Sequence, residues 1–228
     1  MASRRRADDL IMQGRVKLNG RLVAQPGVQI SLDKDVVEVD NHVVSPEQGT
    51  IYLMLNKPPG YLVSAKDPHH NRLVTSLLRE YKGRVFSVGR LDYDSAGLII
   101  FTNDGTLAFR LTHPRYEVDK TYEVICSGVI SRAALSQIEK GLVLEDGPTA
   151  PCKTMLVSQD EHSSQVQITI HEGRKRQVRR MFAAVGLPVL TLKRVAFGTL
   201  KLGALEPGKF KQIETSDLQM LRGLVGLK

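Results

Sequence analysis

Gly89-Arg90-Leu91-Asp92-Tyr93-Asp94-Ser95-Ala96-Gly97-Leu98-Ile99-Ile100-Phe101-Thr102-Asn103-Asp104-Gly105 is the stretch around which the rest of the chain can be read. It continues from Val85-Phe86-Ser87-Val88, a strand by its apolar content. Charged and hydroxyl groups then crowd together before Gly97 opens a second apolar run. Asn103-Asp104-Gly105 has turn chemistry and leads into Leu107, Ala108 and Leu111, whose spacing predicts a helix. Asp92 therefore stands in a loop between two buried strands, a rigid mount with one open side. The glycines lack the spacing of a phosphate-binding or dinucleotide-binding loop. No histidine lies near Asp92 and Asp94, and Arg90 opposes a cation, so the spacing disfavours a metal site. On the residues alone, an aspartate that merely caps a turn competes with a functional one.

Upstream, Ile51-Tyr52-Leu53-Met54-Leu55 reads as a strand stopped by Asn56-Lys57-Pro58-Pro59-Gly60. Leu73, Leu77 and Leu78 suggest a short helix. Ser45-Pro46-Glu47-Gln48-Gly49-Thr50 punctuates the chain and separates a small module, residues 1–44, from a larger one, residues 51–228. In the small module Ser3 can cap a helix whose buried face holds Ala7, Leu10 and Ile11, and Gly14 can close it. Val16-Lys17-Leu18-Asn19-Gly20 reads as strand and tight turn, and Val36, Val37 and Val39 as a further strand. Arg4, Arg5 and Arg6 beside Arg15 and Lys17 form a positive shoulder suited to phosphates; a solvated charge run is the plain alternative.

Downstream, Tyr122 alternates with Val124 in a strand-like segment. Its ring could stack on a displaced base and its phenol could move a proton, or it could be a core residue. Val166, Ile168 and Ile170 alternate with Gln167 and Thr169 in a further strand. Arg174, Lys175, Arg176, Arg179 and Arg180 follow, interleaved with Val178, Met181 and Phe182. This pattern predicts a helix over 175–185 that docks by its apolar side. Leu218, Leu221, Leu224 and Leu227 suggest a final helix over 216–228. His171 and the His69-His70 pair have no partner at ligand spacing, and Cys126 reads as a buried thiol.

The chain has 228 residues, 42% hydrophobic and 25% charged, an ordinary globular composition that disfavours global disorder. Lys plus Arg number 32 against 24 Asp plus Glu, and the net charge of +8 suits a polyanionic partner. Its two cysteines, Cys126 and Cys152, lie too far apart in pattern for a disulfide framework or a cysteine-rich zinc site. No apolar run reaches the roughly 18 residues of a membrane span, and the start has no hydrophobic signal core. The expectation is a cytoplasmic protein without a membrane partner.

Two resemblances rest on these residues. Residues 3–11, Gly14-Arg15-Val16-Lys17-Leu18-Asn19-Gly20 and the later valine-rich strand resemble an S4 RNA-binding domain, which presents a basic surface to structured RNA. Members usually carry one more helix before the point where this chain begins, so the module is expected to be incomplete. Gly89-Arg90-Leu91-Asp92, with Gly97-Leu98 and Thr102-Asn103-Asp104-Gly105, closely resembles the signature of RNA pseudouridine synthases. The matching branch modifies small- and large-subunit ribosomal RNA and, in one subgroup, transfer RNA. Asn56-Lys57-Pro58-Pro59-Gly60, Lys120-Thr121-Tyr122-Glu123-Val124 and Glu172-Gly173-Arg174-Lys175-Arg176-Gln177-Val178-Arg179-Arg180-Met181 match the family's other motifs. Leu192-Lys193-Arg194 and Leu205-Glu206-Pro207-Gly208 match its C-terminal pattern. Ser95 departs from the threonine of many relatives but keeps the hydroxyl.

The resemblance implies an α+β fold whose mixed, mainly antiparallel sheet is flanked by short helices and crossed by a cleft. It implies conversion of uridine to pseudouridine in RNA: the N1–C1′ bond breaks, the uracil rotates, and a C5–C1′ bond forms. Asp92 would be the catalytic residue, attacking C1′ or taking a proton from C2′. Tyr122 would be the active-site tyrosine, Arg179 the arginine that pairs with Asp92, and Leu192 part of the uracil pocket. Arg174, Lys175, Arg176 and Arg180 would hold RNA phosphates, with Arg90 and Lys120 as further contacts. Substrate and product have the same composition, so no cofactor and no catalytic metal are expected. The expected partner is structured RNA, ribosomal or within a ribosome assembly intermediate, and the chain is expected to be monomeric. The S4-like start and His113-Pro114-Arg115-Tyr116-Glu117-Val118 look most like the large-subunit enzymes, with small-subunit or transfer RNA as alternative targets. A non-catalytic ribosome-associated RNA-binding protein and a metal-dependent RNA enzyme are the competing function classes.

Overall fold

The computed structural model describes residues 4–31, 34–44, 49–64, 67–69 and 71–227. The Ser3 cap, His70 and residues 45–48 of the expected break lie outside the described residues. Contacts divide the chain into two compact units, residues 1–49 and 50–228.

In the first unit α1 (Arg4–Met12) is followed by β1 (Val16–Leu18), β2 (Arg21–Leu22), β3 (Val37–Val39) and β4 (His42–Val43). The strands form an antiparallel sheet in the order β2-β1-β3-β4. Gly14 closes α1 as its composition predicts: at φ +70° it donates to Ile11 O at 2.9 Å, and Arg15 donates to Leu10 O at 3.1 Å.

In the second unit β5 (Tyr52–Lys57), a 3-10 turn (Val74–Leu78), β6 (Phe86–Val88) and β7 (Ala96–Thr102) come first. Then follow α2 (Gly105–Thr112), a 3-10 turn (Pro114–Tyr116), β8 (Lys120–Ser127), α3 (Arg132–Lys140), β9 (Val143–Leu144) and β10 (Gly147–Pro148). The chain continues through β11 (Lys153–Gln159), β12 (Ser163–Ile170), α4 (Gln177–Ala184), β13 (Val189–Phe197), β14 (Leu200–Lys201), β15 (Phe210–Gln212) and α5 (Thr215–Leu224). Nine of these strands make one mixed sheet, β11-β12-β8-β13-β7-β5-β15, with β14 on β13 and β6 on β7. The β9–β10 hairpin pairs separately.

The strand patterns follow from burial. β12 alternates buried and half-buried residues because one face alone meets core, and its sequence alternates accordingly. β5 and β7 are buried on both faces, which is why they read as continuous apolar runs. Leu53, Leu55, Ile99 and Phe101 join one core layer, covered by Val74, Leu78, Ile138, Val178, Met181 and Phe182. Tyr52, Met54, Leu98 and Ile100 join the other, covered by Leu107, Leu111, Leu221 and Val225. The sheet is thus sandwiched between α3 with α4 and α2 with α5.

All pairings in this sheet are antiparallel except β7 with β13, which meet in parallel at Lys193↔Ala96 and Arg194↔Gly97. A Cβ on Gly97 would lie 2.2 Å from Arg194 O, and Gly97 has φ +105°, so no side chain fits. The buried Arg194 side chain crosses the same junction, donating Nε to Leu98 O at 2.7 Å.

Candidate active site

The edge of β7 is shared: β13 pairs near its start and β6 near its end. The chain leaves β6 opposite Ile100 and re-enters the sheet at Ala96. Residues 89–95 must therefore run over the fork between β6 and β13, which sets Asp92 at a break in the sheet.

Lys57 supports this loop from beneath. Its side chain is fully buried, and Nζ donates to Pro58 O at 3.1 Å, Tyr93 O at 3.3 Å and Ser95 O at 2.6 Å. Burial pushes its pKa down to about 8, although the Asp94 and Asp92 charges pull the other way. The asparagine–lysine–proline run, read from sequence as a strand stop, therefore also anchors the loop. A lysine that ends an apolar strand was the available signal.

A cleft of about 490 Å³ opens at the loop. Asp92, Tyr122 and Leu192 all line it, with Arg90, Arg174, Lys175 and Arg176 around them and Leu62, Val63, Ile170 and Val178 as its apolar wall. Tyr122 comes from β8 and is buried; Leu192 comes from β13. Among the described residues the Asp92 carboxylate has no hydrogen-bond or ion-pair partner. It is half-buried and open to whatever occupies the cleft.

The expected pairing of Arg179 with Asp92 is corrected by the structure. Arg179 Nη2 lies 3.3 Å from Asp94 Oδ2 and donates to Asp94 O at 3.1 Å, while Nη1 donates to Val189 O at 3.0 Å. Arg176 grips the same carboxylate with two hydrogen bonds of 2.9 Å. Arg176 ends the approach to α4 in a left-handed conformation, and Arg179 follows three residues later on the same side of the helix. Two guanidinium groups one turn apart thus converge on Asp94, leaving Asp92 to the cleft. The Arg176 hydrogen bond is the main reason that the Asp94 carboxyl titrates below its ordinary range.

The rest of the basic run is also largely engaged with the protein. Arg180 makes bidentate contacts of 2.8 and 2.9 Å to Asp146 in the β9–β10 hairpin. Arg174 donates to Gly147 O at 3.0 Å and to Glu172 Oε1 at 3.0 Å, and also reaches Pro148 O. Glu172 in turn accepts from Gln177 Nε2 at 2.6 Å and Ala150 N at 3.1 Å. These contacts tie α4 to the hairpin. Lys175 is exposed and has no such partner among the described residues. The sequence could not separate these roles, because the acids that bind the arginines lie about 30 and 80 residues away in the chain.

Lys120, unlike Arg174, Lys175 and Arg176, does not line the cleft. It is half-buried, donates Nζ to Val118 O and His171 O at 2.7 Å each, and lies 5.6 Å from the Phe197 ring centroid. Burial lowers its pKa to about 8, helped by the Arg194 charge. Cys126 is a buried thiol whose pKa burial raises. In the first unit Arg4, Arg5 and Arg6 are exposed, whereas Arg15 is ion-paired with Asp40, donating Nε to Oδ1 at 2.7 Å. Lys17 donates to Asn41 Oδ1 at 2.8 Å. Among the described residues no group of three or more His, Cys, Asp and Glu side chains is placed to hold a metal, and no helix is long and apolar enough to cross a membrane.

Comparison with known proteins places these features in context. Residues 51–184 match the RNA pseudouridylate synthase family and residues 1–37 match the S4 domain. An uncharacterized RNA pseudouridine synthase of Aquifex aeolicus is 42% identical over 100% of this chain and 92% of its own length. The ribosomal large subunit pseudouridine synthase B of Bacillus subtilis is 42% identical over 98% of this chain and 92% of its own. A pseudouridylate synthase of known crystal structure superposes with a TM-score of 0.70 at 33% identity, covering 96% of this chain and 94% of that one.

Proposed function

This chain belongs to the RNA pseudouridylate synthase family, and from that premise we propose that it isomerises a specific uridine of large-subunit ribosomal RNA, with Asp92 as the catalytic carboxylate. The observation that carries the catalytic assignment is the unpaired Asp92 carboxylate in a cleft shared with Tyr122 and Leu192. The large-subunit target rests on the name of the Bacillus subtilis relative, which matches along nearly the whole chain.

A base within a duplex cannot present C1′ and C5 to one carboxylate, so the uridine enters unpaired or flipped. Leu192 and the aliphatic wall receive the uracil, and Tyr122 stacks against it or moves the C5 proton. Asp92 either attacks C1′, displacing N1, and is itself displaced when C5 bonds C1′ after rotation, or removes a proton from C2′ as N1 leaves and returns it when C5–C1′ forms. The C5 proton is lost and N1 gains one, so no co-substrate is consumed. Arg179 is held by Asp94, two residues beyond Asp92 along the same loop, and supplies positive charge there. Arg90, Lys175 and the exposed part of Arg176 face the strand that carries the uridine. In the first unit Arg4, Arg5 and Arg6 contact phosphates further along the RNA.

The test is pseudouridine mapping on unmodified ribosomal and transfer RNA, and on immature large-subunit particles, with the parent and Asp92→Asn. A new pseudouridine in large-subunit RNA, made by the parent alone, is expected. Product made equally by Asp92→Asn would exclude the catalytic assignment, and product only in small-subunit or transfer RNA would exclude the target.

A further inference from the structure

We propose that the outer face of α2 and the turn after it form a second RNA contact, a stacking platform for an unpaired base that flanks the target uridine. The proposal deepens the RNA-modifying reading and rests on it. Leu107, Ala108 and Leu111 bury the inner face of α2. Phe109 points the other way with 56% of its surface exposed, which a helix can leave unburied but does not favour. Its ring is not isolated. The His113 ring, one turn on, lies 4.9 Å away centroid to centroid, and the Tyr116 ring meets His113 edge-on at 6.3 Å. Three rings therefore form a short ladder on the surface.

Cationic groups frame the ladder. The Arg110 and Arg115 guanidinium carbons lie 5.7 and 5.9 Å from the Tyr116 ring centroid. Arg110 is fixed there by donating to Val225 O and Gly226 O at 2.9 Å each. Arg115 is exposed. His113 Nδ1 accepts the Arg115 N–H at 3.2 Å, which places the neutral ring's proton on Nε2, where it can donate to a phosphate. Flat apolar faces bordered by guanidinium and imidazole donors suit a nucleobase and its phosphate. They suit an acidic protein surface less, because a salt bridge needs no ladder of rings.

The platform is continuous with the active-site loop. Thr112, the last residue of α2 and the one before His113, has its methyl group 3.6 Å from where a Gly89 Cβ would stand. Gly89 and Arg90 line the cleft and lead directly to Asp92. Three Cα steps, the Gly89–Thr112 contact and one helical turn place Phe109 within about 25 Å of Asp92. A strand that delivers its uridine to Asp92 and passes exposed Arg90 can thus lay a neighbouring base on Phe109 and His113.

The chain has no tryptophan, so Phe109→Trp supplies a single fluorescent reporter on the platform. The full chain carrying it is titrated with an RNA hairpin whose loop holds one uridine flanked by purines. Matched hairpins carry an abasic site at each flanking position in turn. Saturable quenching is expected, lost with one abasic position and retained with the others. Phe109→Ala should weaken binding of the intact hairpin roughly tenfold and that of the critical abasic hairpin hardly at all. Emission unmoved by RNA, with Phe109→Ala binding within twofold of the parent, would overturn the proposal. So would a Phe109→Ala defect seen only on immature ribosomal particles and not on free RNA, which would assign the face to a protein. The signal is read without turnover, so failure of the Asp92 assignment leaves this result standing.

Discussion

Replacing Asp94 by Asn removes one charge and little volume from the clamp that joins the 89–95 loop to α4. In the native structure two hydrogen bonds from Arg176 and one ion pair from Arg179 converge on the carboxylate. Asn can accept at one oxygen only, and its amide then faces a guanidinium donor. The Arg176 contact is well formed but lies between two side chains each more than 40% exposed, so solvent limits it to about 0.5–1 kcal/mol. Arg179 is only 11% exposed, and its Nε is buried without a partner. Losing its counter-charge costs a comparable amount or slightly more, although its bonds to the Asp94 and Val189 carbonyls persist. The sum is about 1–2 kcal/mol, or a fall in melting temperature of roughly 2–4 °C for a chain of this size. The folded carboxyl titrates below its unfolded value, so its contribution is complete above the ordinary carboxylate range and disappears as pH falls through the lowered value. Urea unfolding of parent and Asp94→Asn should therefore differ by a constant amount above the ordinary carboxylate range and converge as pH falls through the lowered value. A gap under 0.3 kcal/mol at pH 7, or an undiminished gap at pH 3, would refute the reasoning.

Further outcomes follow from other contacts. Lys57 and Lys120 have folded pKa values of about 8, below the ordinary lysine value, so the folded chain binds fewer protons than the unfolded one at higher pH. Urea stability should then rise by about 1–3 kcal/mol from pH 7 to 9; a flat profile would mean the two ammonium groups are not held at a disadvantage. Gly97→Ala combines positive φ with a clash against the Arg194 backbone and should cost at least about 3 kcal/mol, read as loss of soluble protein or an early melting transition. Lys175→Ala should reduce the salt dependence of RNA binding by about one phosphate contact. Arg180→Ala, whose guanidinium already holds Asp146, should mainly loosen the hairpin; the reverse ranking in a salt titration would restore Arg180 as a phosphate contact.

Much of the fold was legible where burial writes a local pattern. β12 alternates, α4 carries its buried Val178, Met181 and Phe182 at helical spacing, and α2 begins after an Asp104 that accepts the Leu107 N–H at 2.9 Å. The predicted helix over 175–185 narrows to Gln177–Ala184 because Arg176 adopts a left-handed conformation. α3 carried visible signals, a Ser131 cap and a Gly141 terminus, that were not assembled into a helix. The parallel junction of β7 and β13 had no local signature, because it joins segments nearly 100 residues apart. At the site, residue types identified Asp92, Tyr122 and Leu192 as a group only through motif resemblance; their shared cleft is a tertiary property. The partners of the basic run were hidden for the same reason. Spacing along α4 tells which side chains share a face, but not that Asp94 and Asp146 wait opposite them.

The two-pair junction of β7 with β13 also bears on when the enzyme comes into being. Asp92 lies in the loop that leads into β7 on one side of it, and Tyr122 and Leu192 stand on β8 and β13 on the other. Contacts between segments so far apart in the chain carry a loop-closure cost that local contacts do not. A chain emerging from synthesis holds Asp92 long before β13 exists to complete the cleft. The cleft is therefore a read-out of completed folding, and a partly made or partly opened chain carries Asp92 without the Leu192 wall beside it.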